Sequence, residues 1–108
     1  MNLKIISRID EEMERKFSLS IGNKFETDLT SIGILGISMY SKYYLPKGLQ
    51  IGLEIDGKPF GLEELMNLKG ELCYCRQVSH SKYNCGVKFM NIPNRYKKII
   101  ADLVERKL

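Results

Sequence analysis

Few residues in this 108-residue chain have the types and spacing to do chemistry. The segment Asp28-Leu29-Thr30-Ser31-Ile32-Gly33 sets a carboxylate, a hydroxyl two residues on, and a glycine three further on. Residues two apart on a strand share a face. Asp28 and Thr30 can therefore offer hydrogen-bonding groups to the edge of a heterocycle, and Gly33 lets the backbone approach a flat ring. The same residue types also shape an Asx or ST turn, so the segment alone serves equally as a bend. His80, the sole histidine, falls in a predicted turn between Ser79 and Ser81. A serine or cysteine nucleophile needs a base and an orienting partner in reach, and no spacing sets His80 beside either, so no enzyme activity is expected. Glu54 and Asp56 lie two apart and read as solvent-facing. Cys73, Cys75 and Cys85 raise the question of a metal, but Cys-x-Cys is tighter than zinc-knuckle spacing and His80 is the one further soft ligand. Cysteine is also a common small buried residue. The expectation is three reduced, metal-free cysteines and no cofactor.

Composition bounds what these residues can belong to. A content of 44% hydrophobic and 28% charged residues describes an ordinary globule with one core. No apolar run approaches the ~18 residues of a membrane span. The opening MNLKIISRIDEEMERK turns acidic too early for a secretory leader, and an odd cysteine count argues against a disulfide framework. A cytoplasmic protein that does not enter membranes is expected. The net charge of +4 admits an anionic ligand but falls short of a nucleic-acid footprint. Acidic Asp10, Glu11, Glu12 and Glu14 and basic Arg95, Lys97, Lys98, Arg106 and Lys107 read as solvated faces. A single-strand nucleic-acid barrel would need aromatics exposed on a strand face. Tyr40, Tyr43 and Tyr44 instead fall in a predicted loop, beside only Lys42 and Lys47.

The elements that must position these residues are mostly strands. The stretch from Ile9 to Arg15 reads either as a short helical turn or as a lead-in strand. Phe17, Leu19 and Ile21 alternate with polar residues, as do Phe25, Thr27 and Leu29, and Gly22-Asn23 between them suits a two-residue turn. That predicts a hairpin. A β-rich run follows over residues 28–38, then a loop from Met39 to Gly48. Leu49, Ile51, Leu53 and Ile55 alternate most cleanly. Residues 58–68 read as a connection with a helical turn at Leu62 to Met66. Strands over 71–78 and 83–90 flank the turn at Ser79 to Lys82. After Pro93, the spacing of Tyr96, Ile99, Ile100 and Leu103 predicts a helix. Phe25, Ile34, Ile51, Leu53, Val87, Phe89, Ile100 and Leu103 are the expected core. Five or six antiparallel strands of this length close into a small barrel or sandwich.

In this setting the chain resembles the PilZ domain family, bacterial receptor modules for the second messenger cyclic diguanylate (cyclic di-GMP). The family's barrel-side motif is Asp or Asn, any residue, Ser, two of any, Gly. Asp28, Thr30 and Gly33 match it with threonine for serine. Gly70-Glu71-Leu72, then Gly86-Val87-Lys88-Phe89, then the helix after Pro93 match the family's closing elements in order. The resemblance covers about residues 14–107. It implies a mainly β protein: a small antiparallel barrel of about six strands with a C-terminal helix, residues 14–108, after a lead-in over residues 1–13. It also implies a signal-transduction module that binds cyclic di-GMP and acts on a protein partner. The family's second signature is a pair of arginines four apart before the first strand. Their planar forks clamp phosphates and stack on guanines. Here Arg15 takes the first position and Leu19 the second, with Arg8 and Lys16 as further cations nearby. With one arginine missing, the implied outcomes are weakened nucleotide binding or a protein-interaction scaffold that no longer binds nucleotide.

Overall fold

Stretches in which buried residues alternate with more exposed ones become strands, most cleanly over residues 25–29, 37–41, 51–55 and 66–72. The computed structural model describes residues 3–19, 21, 24–56, 58 and 65–106. Its elements are β1 (Leu3–Arg8), α1 (Glu11–Lys16), β2 (Lys24–Ile32), β3 (Gly36–Ser41), β4 (Gln50–Asp56), β5 (Leu65–Ser79), β6 (Lys82–Met90) and α2 (Asn94–Arg106). The strands close into a barrel in the order β1-β2-β3-β6-β5-β4, all pairs antiparallel, with β4 returning to β1. Closure leaves no sheet edge to template aggregation. The expected fold class is therefore the observed one.

The interior is lined from every stave. Ile5, Phe25, Leu29, Ile37, Met39, Ile51, Leu53, Ile55, Met66, Leu68, Leu72, Cys85 and Val87 are buried in one cluster. Each large aliphatic side chain there contributes about 1.5–3 kcal/mol of transfer free energy. Ser7 and Thr27 are the polar intruders on the β1–β2 wall, and their hydroxyls pair at 3.3 Å. From α2, Tyr96 and Ile100, four residues apart, bury into the same cluster. The Pro93 carbonyl accepts the Tyr96 and Lys97 amides and starts that helix. Among the described residues, no helix is long and apolar enough to cross a membrane.

Several sequence expectations change. Residues 3–8, assigned to the lead-in, form β1, which pairs with β2 on one side and β4 on the other and so closes the barrel. The hairpin partner of β2 is β1, not a strand over residues 17–21. Asp10 caps α1 by accepting the Met13 amide at 2.9 Å. At the other end the Leu19 amide reaches the Glu14 carbonyl at 2.8 Å and the Ser18 amide reaches that of Arg15 at 3.3 Å, with Ser18 at φ 54°. This is the Schellman pattern. Phe17, Leu19 and Ile21 look alternating because a helix end tucks them against the core, where they are half-buried. Strand β3 extends to Ser41, so Tyr40 is a strand residue rather than a loop residue. Strand β5 already begins at Leu65, before the expected Glu71, and Leu65 and Met66 are strand rather than helical turn. Residues 62–64 and Gly22-Asn23 lie outside the described residues. Of the expected core, Phe25, Ile51, Leu53, Val87 and Ile100 are buried and Phe89 is half-buried against them. Ile34 is 58% exposed at the β2–β3 turn. The Leu103 side chain lies outside the described residues.

Candidate ligand-binding groove

The outer faces of β1, β2 and β3 and the β5–β6 turn enclose a groove of about 540 Å³. Antiparallel register sets its floor. Lys4 on β1 opposes Asp28 on β2, and Asp28 opposes Tyr40 on β3. The Lys4 ammonium and the Asp28 carboxylate form an ion pair at 2.9 Å with both side chains partly solvated. The hydrogen bond to Asp28, and then its charge, hold Lys4 above the ordinary lysine value of 10.5. Lys82, the first residue of β6 after the β5–β6 turn, sets its ammonium 4.2 Å from the centre of the Tyr40 ring, within cation–π range. Lys24 and Lys42 add positive charge and Glu26 a second carboxylate, while Ser79, His80 and Ser81 form the far lip.

The aromatic wall is built by a short turn. Ser41 Oγ accepts the Tyr43 amide and donates to the Tyr43 carbonyl, both at 2.9 Å. This curls the chain just after β3 and packs Tyr43 edge-on against buried Phe25, ring centres 5.7 Å apart. Beyond it, Tyr44 stacks edge-on with Tyr83 at 6.0 Å. The groove thus combines an aromatic ring under a cation, a carboxylate acceptor and several lysines. Such a surface suits an anionic ligand that carries flat, hydrogen-bonding rings.

The site residues read from sequence do not all meet here. Asp28 lines the groove. Thr30 sits where the β2–β3 register shifts between Leu29 and Ser31. Burial still alternates across Asp28, Leu29 and Thr30 and breaks only after Thr30, but Thr30 does not line the groove, which on β2 ends at Asp28. Gly33 donates its amide to the Gly36 carbonyl at 2.8 Å and closes the β2–β3 turn. It borders a separate shallow hollow with Leu35, Tyr74 and Lys88. Arg15 lines a third hollow with Glu11, Glu14, Ser18 and Leu19. Arg8 is ion-paired with Glu54 of β4 on the β1–β4 face. That pairing also leaves the Glu54 side chain only 15% exposed, so it is not the free solvent-facing carboxylate expected. Lys16 is exposed, its ammonium 5.8 Å from the Phe17 ring.

Sequence reasoning missed Lys4, Lys24, Tyr40, Lys42, Tyr43 and Lys82 as a group. They come from four separate segments, and only the register of β1, β2 and β3 and the reach of the β5–β6 turn bring them together. The signal that existed was the outward parity of Lys4, Lys24 and Asp28 about a common pairing. Elsewhere, Cys73 is exposed, Cys75 half-buried and Cys85 buried, all as free thiols. Among the described residues, no three of His, Cys, Asp and Glu gather where a metal ion could be held. In comparisons with known proteins, no family model and no curated protein matches this chain.

Proposed function

We propose that this protein is a PilZ-like signalling module that binds cyclic di-GMP on the outer wall of its barrel. The observation that carries the reading is Asp28, the first residue of the barrel-side motif, lying in a lysine-lined groove beside Tyr40 and Tyr43. In this reading the Asp28 carboxylate accepts from a guanine edge, Tyr40 supports the base, and Lys4, Lys24, Lys42 and Lys82 balance the phosphates. Arg15 joins from α1 when the helix and the segment after it close over the bound anion, which is the switch a protein partner would read. Losing one buried, charge-assisted arginine contact costs about 2–5 kcal/mol. With Leu19 in the second arginine position, the affinity is weaker than an intact pair would give, and the groove lysines recover part of the loss as point charges.

Calorimetry of the full chain with cyclic di-GMP tests this. Asp28→Ala and Lys82→Ala each weaken binding by about 1–3 kcal/mol, roughly 5- to 150-fold. Leu19→Arg strengthens it by a similar amount. An arginine stem can keep covering the apolar surface under Leu19 while its head reaches outward. If neither the parent nor Leu19→Arg binds, the module is a protein-interaction scaffold. If the parent binds and Asp28→Ala and Lys82→Ala change nothing, the ligand sits elsewhere.

A further inference from the structure

Cys75 on β5 and Cys85 on β6 stand directly opposite each other in the antiparallel register. Their sulfurs are 3.3 Å apart, with the Cys85 thiol donating to Cys75. Directly opposed residues of an antiparallel pair have Cα atoms about 4.5–5.5 Å apart, inside the range of about 4.4–6.8 Å that a disulfide spans. Bond formation at about 2.05 Å therefore asks for side-chain rotation, with little movement of the strands. The neighbouring cysteine is excluded by geometry. Cys73 occupies the bulge between Leu72 and Tyr74, which breaks the strand phase, and its exposed thiol points back at the Glu71 carbonyl at 3.8 Å.

We propose that Cys75 and Cys85 form a site of reversible thiol–disulfide exchange, closing into a cross-strand disulfide within the chain when it meets a low-molecular-weight disulfide. Access sets the order of events. Cys75 is half-buried and Cys85 fully buried. The Cys75 thiolate, its proton lost to water, attacks one sulfur of the oxidant. One small thiol leaves and a mixed disulfide remains on Cys75. Cys85 then gives up its proton and attacks the Cys75 sulfur, and the second small thiol departs. Two protein thiols become one disulfide, and one small disulfide becomes two thiols. Burial, and then the hydrogen bond to Cys75, push the Cys85 thiol well above its ordinary value of 9.0. The second step therefore quickens as pH rises. The site also touches the groove. The Leu45 amide donates to Cys75 Sγ at 3.4 Å, and Leu45 is the buried anchor of the loop that carries Lys42 and Tyr43.

The test incubates folded Cys73→Ser protein with glutathione disulfide and follows thiol count, intact mass and a non-reducing peptide map. The expected result is loss of both thiols together, a mass lower by two hydrogen atoms, a peptide joining residues 75 and 85, and full reversal by excess reduced glutathione. Cys85→Ser should stop at a stable glutathione adduct on Cys75. The parent chain mapped the same way decides the matter even if that variant does not fold. Persistence of both thiols in folded protein at excess oxidant would overturn the proposal. So would a glutathione adduct on Cys75 of the parent that never resolves, or a bond that joins two chains.

Discussion

Gly36 and Gly86 both face a neighbour so close that a methyl group has no room, yet the two substitutions to alanine should differ sharply. At Gly36 an added Cβ would lie 2.1 Å from the Val87 carbonyl oxygen, 2.9 Å from Lys88 Cα and 3.0 Å from Val87 carbonyl carbon. All three are backbone. An ordinary carbon–oxygen contact is about 3.3 Å, so β3 must retreat from β6 by about 1 Å, enough to break the nearest ladder hydrogen bond. Overpacking costs about 1–3 kcal/mol and the lost bond about 1 kcal/mol. Relief of glycine's backbone entropy returns about 0.5–1 kcal/mol. The net for Gly36→Ala is about 1–3.5 kcal/mol, with a fall in Tm of about 4–8 °C for each kcal/mol in a domain of this size. At Gly86 the Cβ would lie equally close, 2.1 Å, but to the far edge of the Tyr74 ring. Tyr74 is exposed and can swing away. Gly86→Ala then loses the ring's cover and its contact with Arg76, 5.2 Å from the ring centre, worth about 1 kcal/mol or less. Thermal melting followed by circular dichroism, with urea titration alongside, compares the two. Equal melting of both variants, or a Gly36→Ala protein that melts like the parent, would refute the claim that backbone contact limits the β3–β6 seam.

Two further outcomes follow from local geometry. Ser18 holds φ 54° at the end of α1, a conformation that costs glycine nothing, so Ser18→Gly should stabilise the protein by about 0.5–1 kcal/mol in urea denaturation; a destabilised variant would contradict the helix-end assignment. The Cys85 thiol is held above its ordinary value of 9.0 by burial. Above that pH the unfolded chain releases this proton before the folded one does, so stability falls as pH rises; Tm measured over the pH unit above 9.0 should drop more steeply for the parent than for Cys85→Ala, and equal slopes would remove Cys85 from the pH response.

What the sequence determined by itself is the material of the barrel. The alternation at Leu49 to Ile55 and at Phe25 to Leu29 commits those stretches to one buried face, because a strand's side chains have a period of two. The helical spacing of Tyr96 and Ile100 after Pro93 is equally local. Other features depended on which segments meet. Residues 3–8 carry only a short alternation, and their role as the closing stave follows from pairing with both β2 and β4. Phe17, Leu19 and Ile21 satisfy a strand pattern, but the backbone bonds that end α1 claim the amides of Phe17 and Leu19 first. Ile34 has an apolar side chain and an apolar phase, yet the turn that joins β2 to β3 leaves it in solvent. The groove is the clearest case. Asp28 was legible as a candidate because its motif is local. Lys4, Tyr40 and Lys82 were not, because a lysine on a strand is ordinary until register sets it against a carboxylate or a ring. Thr30 shows the same dependence: it sits at the bulge where β2 pairs with β3 and lies past the end of the groove on β2, which strand pairing decides and the local motif does not.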